Sequence, residues 1–189
     1  MNRYPTPELD SLPDDIKAQI DAVAEKAGFV PNVFLGMARR PAEFRAFFAY
    51  YDALMERDGN LTKAEKEMIV VATSATNECL YCVVSHGAFL RIYAKDPLLG
   101  DQVAINYRKA PITDRQKAML DFATKVAQFS QDVTEEDFEE LYAHGFDDED
   151  VWDITAITGL FALSNRMANV TGMQPNDEFY LMGRTSRSL

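Results

Sequence analysis

Nowhere in the 189 residues do Val, Ile, Thr and the aromatic residues settle into a sustained alternation, which is what a half-buried strand needs. Apolar residues recur instead three and four positions apart, between strong helix starts and stops. The pattern predicts an all-α chain. A first helix is expected from about Pro13 to Lys26, with Ile16, Ile20, Val23 and Ala24 as its apolar stripe and Gly28 as its stop. A short helix near Asn32–Ala38 follows, then one over about Pro41–Arg57 with Phe44, Phe47, Phe48, Tyr51 and Leu54 on one face. After the turn Asp58-Gly59-Asn60, Thr62 and Glu65 form a capping-box pattern that opens a helix to about Ala75. Asn77 reads as the cap of the next helix, Glu78–Ala94, whose first turn would hold both cysteines of the chain.

Beyond a loop marked by Pro97 and Gly100, Gln102–Asn106 suggests a brief helix. Thr113 and Gln116 form a second capping box, opening a helix to about Ser130. Thr134 starts another that ends near His144-Gly145, and Asp147 caps the last long one, about Asp150–Thr171. Past Gly172 the chain is expected to be an arm or partly disordered. The length suits one domain spanning 1–189, with 1–40 as a helical extension and 173–189 as the C-terminal arm. One echo runs through it: LTKAEKEMIVVAT at 61–73 aligns with ITDRQKAMLDFAT at 112–124. An ancestral duplication and shared helix-start grammar explain it about equally well. No cysteine pair follows the second copy.

The net charge of −11 repels a phosphate backbone, so nucleic acid is not an expected partner. The densest acidic run, 132–153, reads as a solvated helix and loop. No stretch of about 18 uncharged apolar residues is present, so no membrane span is expected. MNRYPTPELDSLPDD lacks the apolar core of a secretory signal, which places the protein in the cytoplasm.

Two cysteines three residues apart are the wrong pattern for a secreted disulfide scaffold, and the loop they would close constrains little of the unfolded chain. They point to redox catalysis or metal binding. In Cys79-x-x-Cys82-x-x-x-His86 all three side chains share one helix face. Two sulfurs at that spacing can reach disulfide distance with modest adjustment. A helix N-terminus favours the thiolate, and a neighbouring histidine can take the thiol proton. Zinc is the competing reading, with Cys79, Cys82, His86 and Glu67 as four ligands. Structural zinc, however, usually draws its ligand pairs from two separated segments, so the redox reading leads.

With eleven residues between Glu67 and Cys79, and Cys82 and His86 after it, the motif resembles that of the alkylhydroperoxidase D family, within the wider carboxymuconolactone decarboxylase superfamily. Residues 77–87, NECLYCVVSHG, and 162–168, ALSNRMA, are similar to its "peroxidase-related enzyme" branch. The likeness extends over about residues 40 to 172. It implies an AhpD-like helical bundle that assembles as a trimer or hexamer. It also implies a relay in which Glu67 and His86 move a proton, Cys82 attacks the peroxide as a thiolate, and Cys79 resolves the sulfenic acid to a disulfide. Tyr81 stands where the best-studied members have a second histidine. Decarboxylases of the superfamily generally lack the cysteine pair, which argues against that activity.

The expected activity is therefore reduction of a hydroperoxide substrate through a Cys79–Cys82 disulfide cycle, reset by an external dithiol or protein reductant. No flavin, nicotinamide or haem motif is visible, so no cofactor is expected. Alternatives on the same residues are a thiol-disulfide reductase and a non-catalytic redox sensor. Each site residue also has a plainer reading. Glu67 could pair with Lys63 one turn earlier, although it shares a face with Ala64, Val71 and Ala75, and His86 could be an ordinary buried histidine. Tyr81 reads as packing, His144 as a helix C-terminal residue, and the Phe44–Tyr51 stripe as core or subunit interface rather than substrate pocket. Asn165 and Arg166 are candidates for structuring the site's surroundings.

Overall fold

The computed structural model describes residues 4–184, and its regular structure is helical, with no strand among the described residues. The elements are α1 (Asp14–Ala27), α2 (Asn32–Met37), α3 (Pro41–Met55), α4 (Lys63–Thr76), α5 (Leu80–Ala94), α6 (Leu99–Asn106), α7 (Asp114–Phe129), α8 (Glu135–Ala143), α9 (Asp148–Thr171) and α10 (Asp177–Leu181). The all-α expectation holds.

The axis of the bundle is α4, buried without interruption from Glu65 to Ser74 and packed against α5, α6, α7 and α9. Its start is the capping box expected from sequence: Thr62 Oγ1 accepts from the Glu65 amide at 3.2 Å, and Glu65 Oε2 accepts from the Thr62 amide at 2.9 Å. The same carboxylate pairs with Arg115 of α7, whose guanidinium lies 3.9 Å from the centre of the Phe146 ring. One capping residue thus also ties two helices together. Lys66, 1% exposed, donates to the Leu54 and Arg57 carbonyls at 2.8 and 2.6 Å. It satisfies the last orphan carbonyls of α3, which explains a buried ammonium without a carboxylate partner. The second capping box, Thr113 with Gln116, opens α7, which lies against α4. The two echoing segments are therefore neighbouring, similarly capped helices.

Two boundaries differ from the sequence reading for a reason that lies in long-range packing. Gly100, expected in a loop, sits inside α6, because a Cβ there would come within 2.7 Å of the Gly87 carbonyl oxygen on α5. Its role is close approach of two helices, not a break. Residues 173–184 of the expected arm fold back as α10 and its flanks. The buried Arg91 of α5 holds them by donating to the carbonyls of Phe179 at 2.7 Å and Met182 at 2.9 Å. Residues 185–189 lie outside the described residues.

Candidate active site

The site begins at the corner between α4 and α5. The Cys79 amide donates to the Ser74 carbonyl at 2.9 Å and the Glu78 amide to the Ala75 carbonyl at 3.0 Å, while Glu78 adopts φ 51°. These are the bonds and the left-handed residue of a Schellman closure, here built without glycine. The closure corrects the sequence reading. Asn77 is the C-cap of α4 rather than the N-cap of α5, and its side chain donates to Asn165 Oδ1 of α9 at 2.9 Å. Cys79 itself occupies the N-cap position of α5, so only Cys82 lies within the first turn.

Both cysteines are free thiols, 0% and 1% exposed. They hydrogen-bond to each other and share one unfavourable charge. The bond from Cys82 holds the Cys79 thiol down to about 6, assisted by the Tyr81 and Cys82 backbone amides and the Asn165 side chain, with burial opposing. Cys82 is pushed strongly upward by that same hydrogen bond, by burial and by the charge on Cys79; Ser164 and Asn165 pull the other way. Ser164 Oγ lies 3.6 Å from Cys82 Sγ. Asn165 is held in turn, donating to Ser74 Oγ at 2.9 Å. The same interaction thus lowers Cys79 and raises Cys82, favouring the thiolate on Cys79.

On the next turn, His86 Nδ1 is 2.7 Å from Glu67 Oε2, both side chains buried. The carboxylate fixes the ring and leaves Nε2 as the nitrogen that can meet another group. Phe161 packs edge-on to the imidazole at 4.7 Å between centroids. Glu67 does not pair with Lys63, which bonds Glu56 instead at 2.7 Å. Among the described residues no group of three or more His, Cys, Asp and Glu side chains is placed to hold a metal ion.

A cavity of about 570 Å³ opens over these groups and is lined by Cys82, His86 and Glu67, whereas Cys79 is not part of its lining. Its wall includes Phe47, Phe48 and Tyr51, so the aromatic stripe of α3 serves the cavity as well as the core. Burial and the nearby Glu67 push the Tyr51 hydroxyl well above its ordinary value, which keeps it protonated. Tyr81 also lines the cavity, and its hydroxyl accepts from the Val33 amide at 3.0 Å, pinning the start of α2 to α5. Arg166 is exposed and bonds Ala162 on its own helix, whereas His144 is the C-cap of α8 and meets the Glu140 carbonyl. Ser164 went unassigned in the sequence, and Tyr51 was read as core or subunit interface rather than cavity wall. The available signal for Ser164 was a polar pair, Ser164-Asn165, interrupting the buried stripe Ile154, Ile157, Phe161 and Ala168.

The carboxymuconolactone decarboxylase family model matches residues 41–95, which holds α3 to α5 and the whole cysteine motif. The chain is 69% identical to a solved peroxidase-related protein with an alkylhydroperoxidase AhpD core from Ralstonia eutropha JMP134, over 98% of this chain and 97% of that one, with a TM-score of 0.96. It is 42% identical to a peroxidase-related protein from Silicibacter sp. TM1040, over 96% and 94% of the two chains, with a TM-score of 0.91. The debrominase Bmp8 shares the fold, with a TM-score of 0.77 at 18% identity over 97% of each chain. No curated protein matches the sequence. A relative this similar over nearly the whole of both chains, together with the family match across the cysteine motif, establishes that the chain belongs to the carboxymuconolactone decarboxylase family, among its AhpD-like, peroxidase-related members.

Proposed function

We propose that the protein is a thiol-dependent peroxidase in which Cys82 reduces hydroperoxides and Cys79 closes the disulfide. The observation that carries this reading is the juxtaposition of a buried dithiol and the His86–Glu67 pair, with Cys82 lining the cavity and Cys79 outside that lining. A peroxide entering the cavity meets Cys82 first. As Cys82 attacks the terminal peroxide oxygen, its proton passes to the Cys79 thiolate or to His86, the O–O bond breaks, and the departing alkoxide takes up a proton to leave as alcohol. Cys82 is then a sulfenic acid. Cys79, as a thiolate once it has given up any proton it took, attacks that sulfur to form the disulfide, and the displaced hydroxide takes a proton from His86 or solvent and leaves as water. An external dithiol returns two electrons and two protons, becoming a disulfide itself.

The thiol-disulfide reductase alternative uses the same sulfurs and is separated from the peroxidase by relative rates with peroxide and disulfide substrates. The likeness to a debrominase, one structure of which carries 2,3,4-tribromopyrrole in a cysteine variant, shows the fold alone. Dehalogenation would draw its two electrons from the same pair and is separated from peroxide reduction by substrate. Cytoplasmic location and homo-oligomerisation as a trimer or hexamer belong to the same proposal. The first is supported by a cysteine pair whose spacing does not suit a secreted disulfide scaffold, the second by the exposed apolar residues Trp152, Leu163 and Val170 along α9.

Single-turnover chemistry tests the assignment. One equivalent of hydroperoxide added to the reduced protein should consume both thiols and give a Cys79–Cys82 disulfide by mass spectrometry. Cys79→Ser should stop at a sulfenic acid on Cys82 that dimedone traps. Dimedone labelling of Cys79 in Cys82→Ser, at the wild-type rate of peroxide consumption, would reverse the roles and overturn the reading.

A further inference from the structure

One polar group beside the dithiol has no part in the Glu67–His86 proton relay. Asn165 of α9 is 0% exposed and interrupts the buried run of Ile154, Ile157, Phe161 and Ala168. A primary amide taken this far from water is costly unless its polar atoms find partners. We propose that Asn165 is a catalytic residue whose side-chain N–H is shared by Cys79 and Cys82 and holds whichever sulfur bears the negative charge, an assignment that rests on the peroxidase reading for the reaction that moves the charge.

Three observations carry this. The first is the orientation of the amide. Asn77 Nδ2 donates to Asn165 Oδ1 at 2.9 Å, which leaves Asn165 Nδ2 as the donating end. That nitrogen carries two hydrogens. It donates to Ser74 Oγ at 2.9 Å, and the same side chain hydrogen-bonds with each of the two sulfurs.

The second is the company it keeps. The Tyr81 and Cys82 amides serve Cys79, and Ser164 Oγ lies 3.6 Å from Cys82 Sγ. Asn165 meets both sulfurs. It is also held by the corner that carries Cys79: Asn77 is the C-cap of α4, and the Ser74 carbonyl accepts from the Cys79 amide at 2.9 Å. The donor is thus in place before the charge moves.

The third is the chemistry of an amide. When the Cys82 proton passes to the Cys79 thiolate, Cys79 becomes a thiol and Cys82 a thiolate. A donor within reach of both sulfurs stabilises the charge at either end, so the transfer strands no anion in a buried site. A lysine or histidine in this place could protonate the thiolate, whereas an amide cannot. Proton traffic is left to the two sulfurs and the His86–Glu67 pair.

The test uses the full chain with Asn165→Asp and Asn165→Ala, leaving the titratable neighbours Glu67 on α4 and Tyr81 and His86 on α5 intact. Asn165→Asp keeps the corner contacts, because Asn77 can still donate to one carboxylate oxygen and the Ser74 hydroxyl can turn to donate to the other. It removes the N–H to the sulfurs. Asn165→Ala removes that donor and the corner contacts together. Ultraviolet thiolate absorbance should show the first midpoint raised by ~1 pH unit or more in both variants, a ~10-fold loss of thiolate below it. Disulfide formation with one equivalent of cumene hydroperoxide, followed by mass spectrometry below both midpoints, should slow by ~10-fold. In Asn165→Ala the deficit should shrink as the pH rises. A purely structural Asn165 gives a different pattern: Asn165→Asp matches the wild type, and Asn165→Ala melts earlier with its thiolate midpoint unmoved. That pattern overturns the shared donor while leaving the peroxidase reading in place. Raised midpoints in both variants, with no disulfide formed by the peroxide in the wild type, do the reverse: they support the shared donor and remove the peroxidase.

Discussion

The two thiols are driven in opposite directions, Cys79 toward the thiolate and the cavity-lining Cys82 toward the thiol. This arrangement follows from position along α5. Cys79 at the N-cap has the amides of Tyr81 and Cys82 near its sulfur, whereas Cys82 inside the first turn has no such support and lies beside a neighbouring negative charge. Ultraviolet thiolate absorbance should accordingly show one sulfur ionising near pH 6. Cys82→Ala should move that midpoint upward, because the Cys82 hydrogen bond is the largest cause of the depression. A lone transition near the ordinary thiol value of about 8.5 in the wild type would contradict the assignment. Disulfide closure should speed up with rising pH and then level, since the attacking group is the Cys79 thiolate. Glu67→Gln keeps the size of the side chain but weakens the grip on His86. Turnover should drop by about 10²-fold, the lower end for loss of general acid–base assistance, with unchanged far-ultraviolet circular dichroism. Cys79, Cys82, His86 and Glu67 were legible because a helical motif brings three of them together locally and the fourth lies on the helix before it. Ser164 and Tyr51 were not, since α9 and α3 reach the sulfurs only through tertiary packing.

Among the elements, helix starts were read more accurately than the corner on which the site depends. Capping boxes at Thr62 and Thr113 are side-chain patterns and survive in sequence, and each opens the helix expected from it. The Schellman closure at 77–79 is a backbone pattern, and Glu78 hides it by taking the left-handed position usually given to glycine. Asn77 was misread as an N-cap for that reason. Glu78→Gly should therefore stabilise the fold by up to about 1 kcal/mol, relieving the steric cost of a Cβ at positive φ. Thermal or urea unfolding measures it, and a loss of stability would show that the Glu78 side chain makes contacts that outweigh the backbone. Gly100 was misread in the opposite sense, as a loop glycine. Gly100→Ala should push α6 off Gly87 and destabilise the protein by about 1–3 kcal/mol, the usual cost of overpacking.

At the scale of the molecule, elements far apart in sequence meet at the candidate site: α1, α2 and α10 all contribute to the lining of the cavity. No helix among the described residues is long and apolar enough to cross a membrane. The return of the C-terminus could not be read in advance. Its anchor, Arg91, looks in sequence like an ordinary cation near a helix end, but is 3% exposed and spent on two distant carbonyls. Arg91→Ala should release residues 177–184, seen as faster amide hydrogen exchange there, at a cost of about 1–3 kcal/mol for stranding buried acceptors. Cys82 as the cavity-facing, peroxide-reducing thiol remains the claim from which everything else follows. Its most direct test is steady-state consumption of cumene hydroperoxide by the full chain with a dithiol regenerating system, comparing wild type with Cys82→Ser. Sustained turnover by the wild type, reduced to the uncatalysed background by the substitution, is the result expected. Turnover that persists in Cys82→Ser, or is absent in a wild type whose Cys79–Cys82 disulfide still forms, would contradict it.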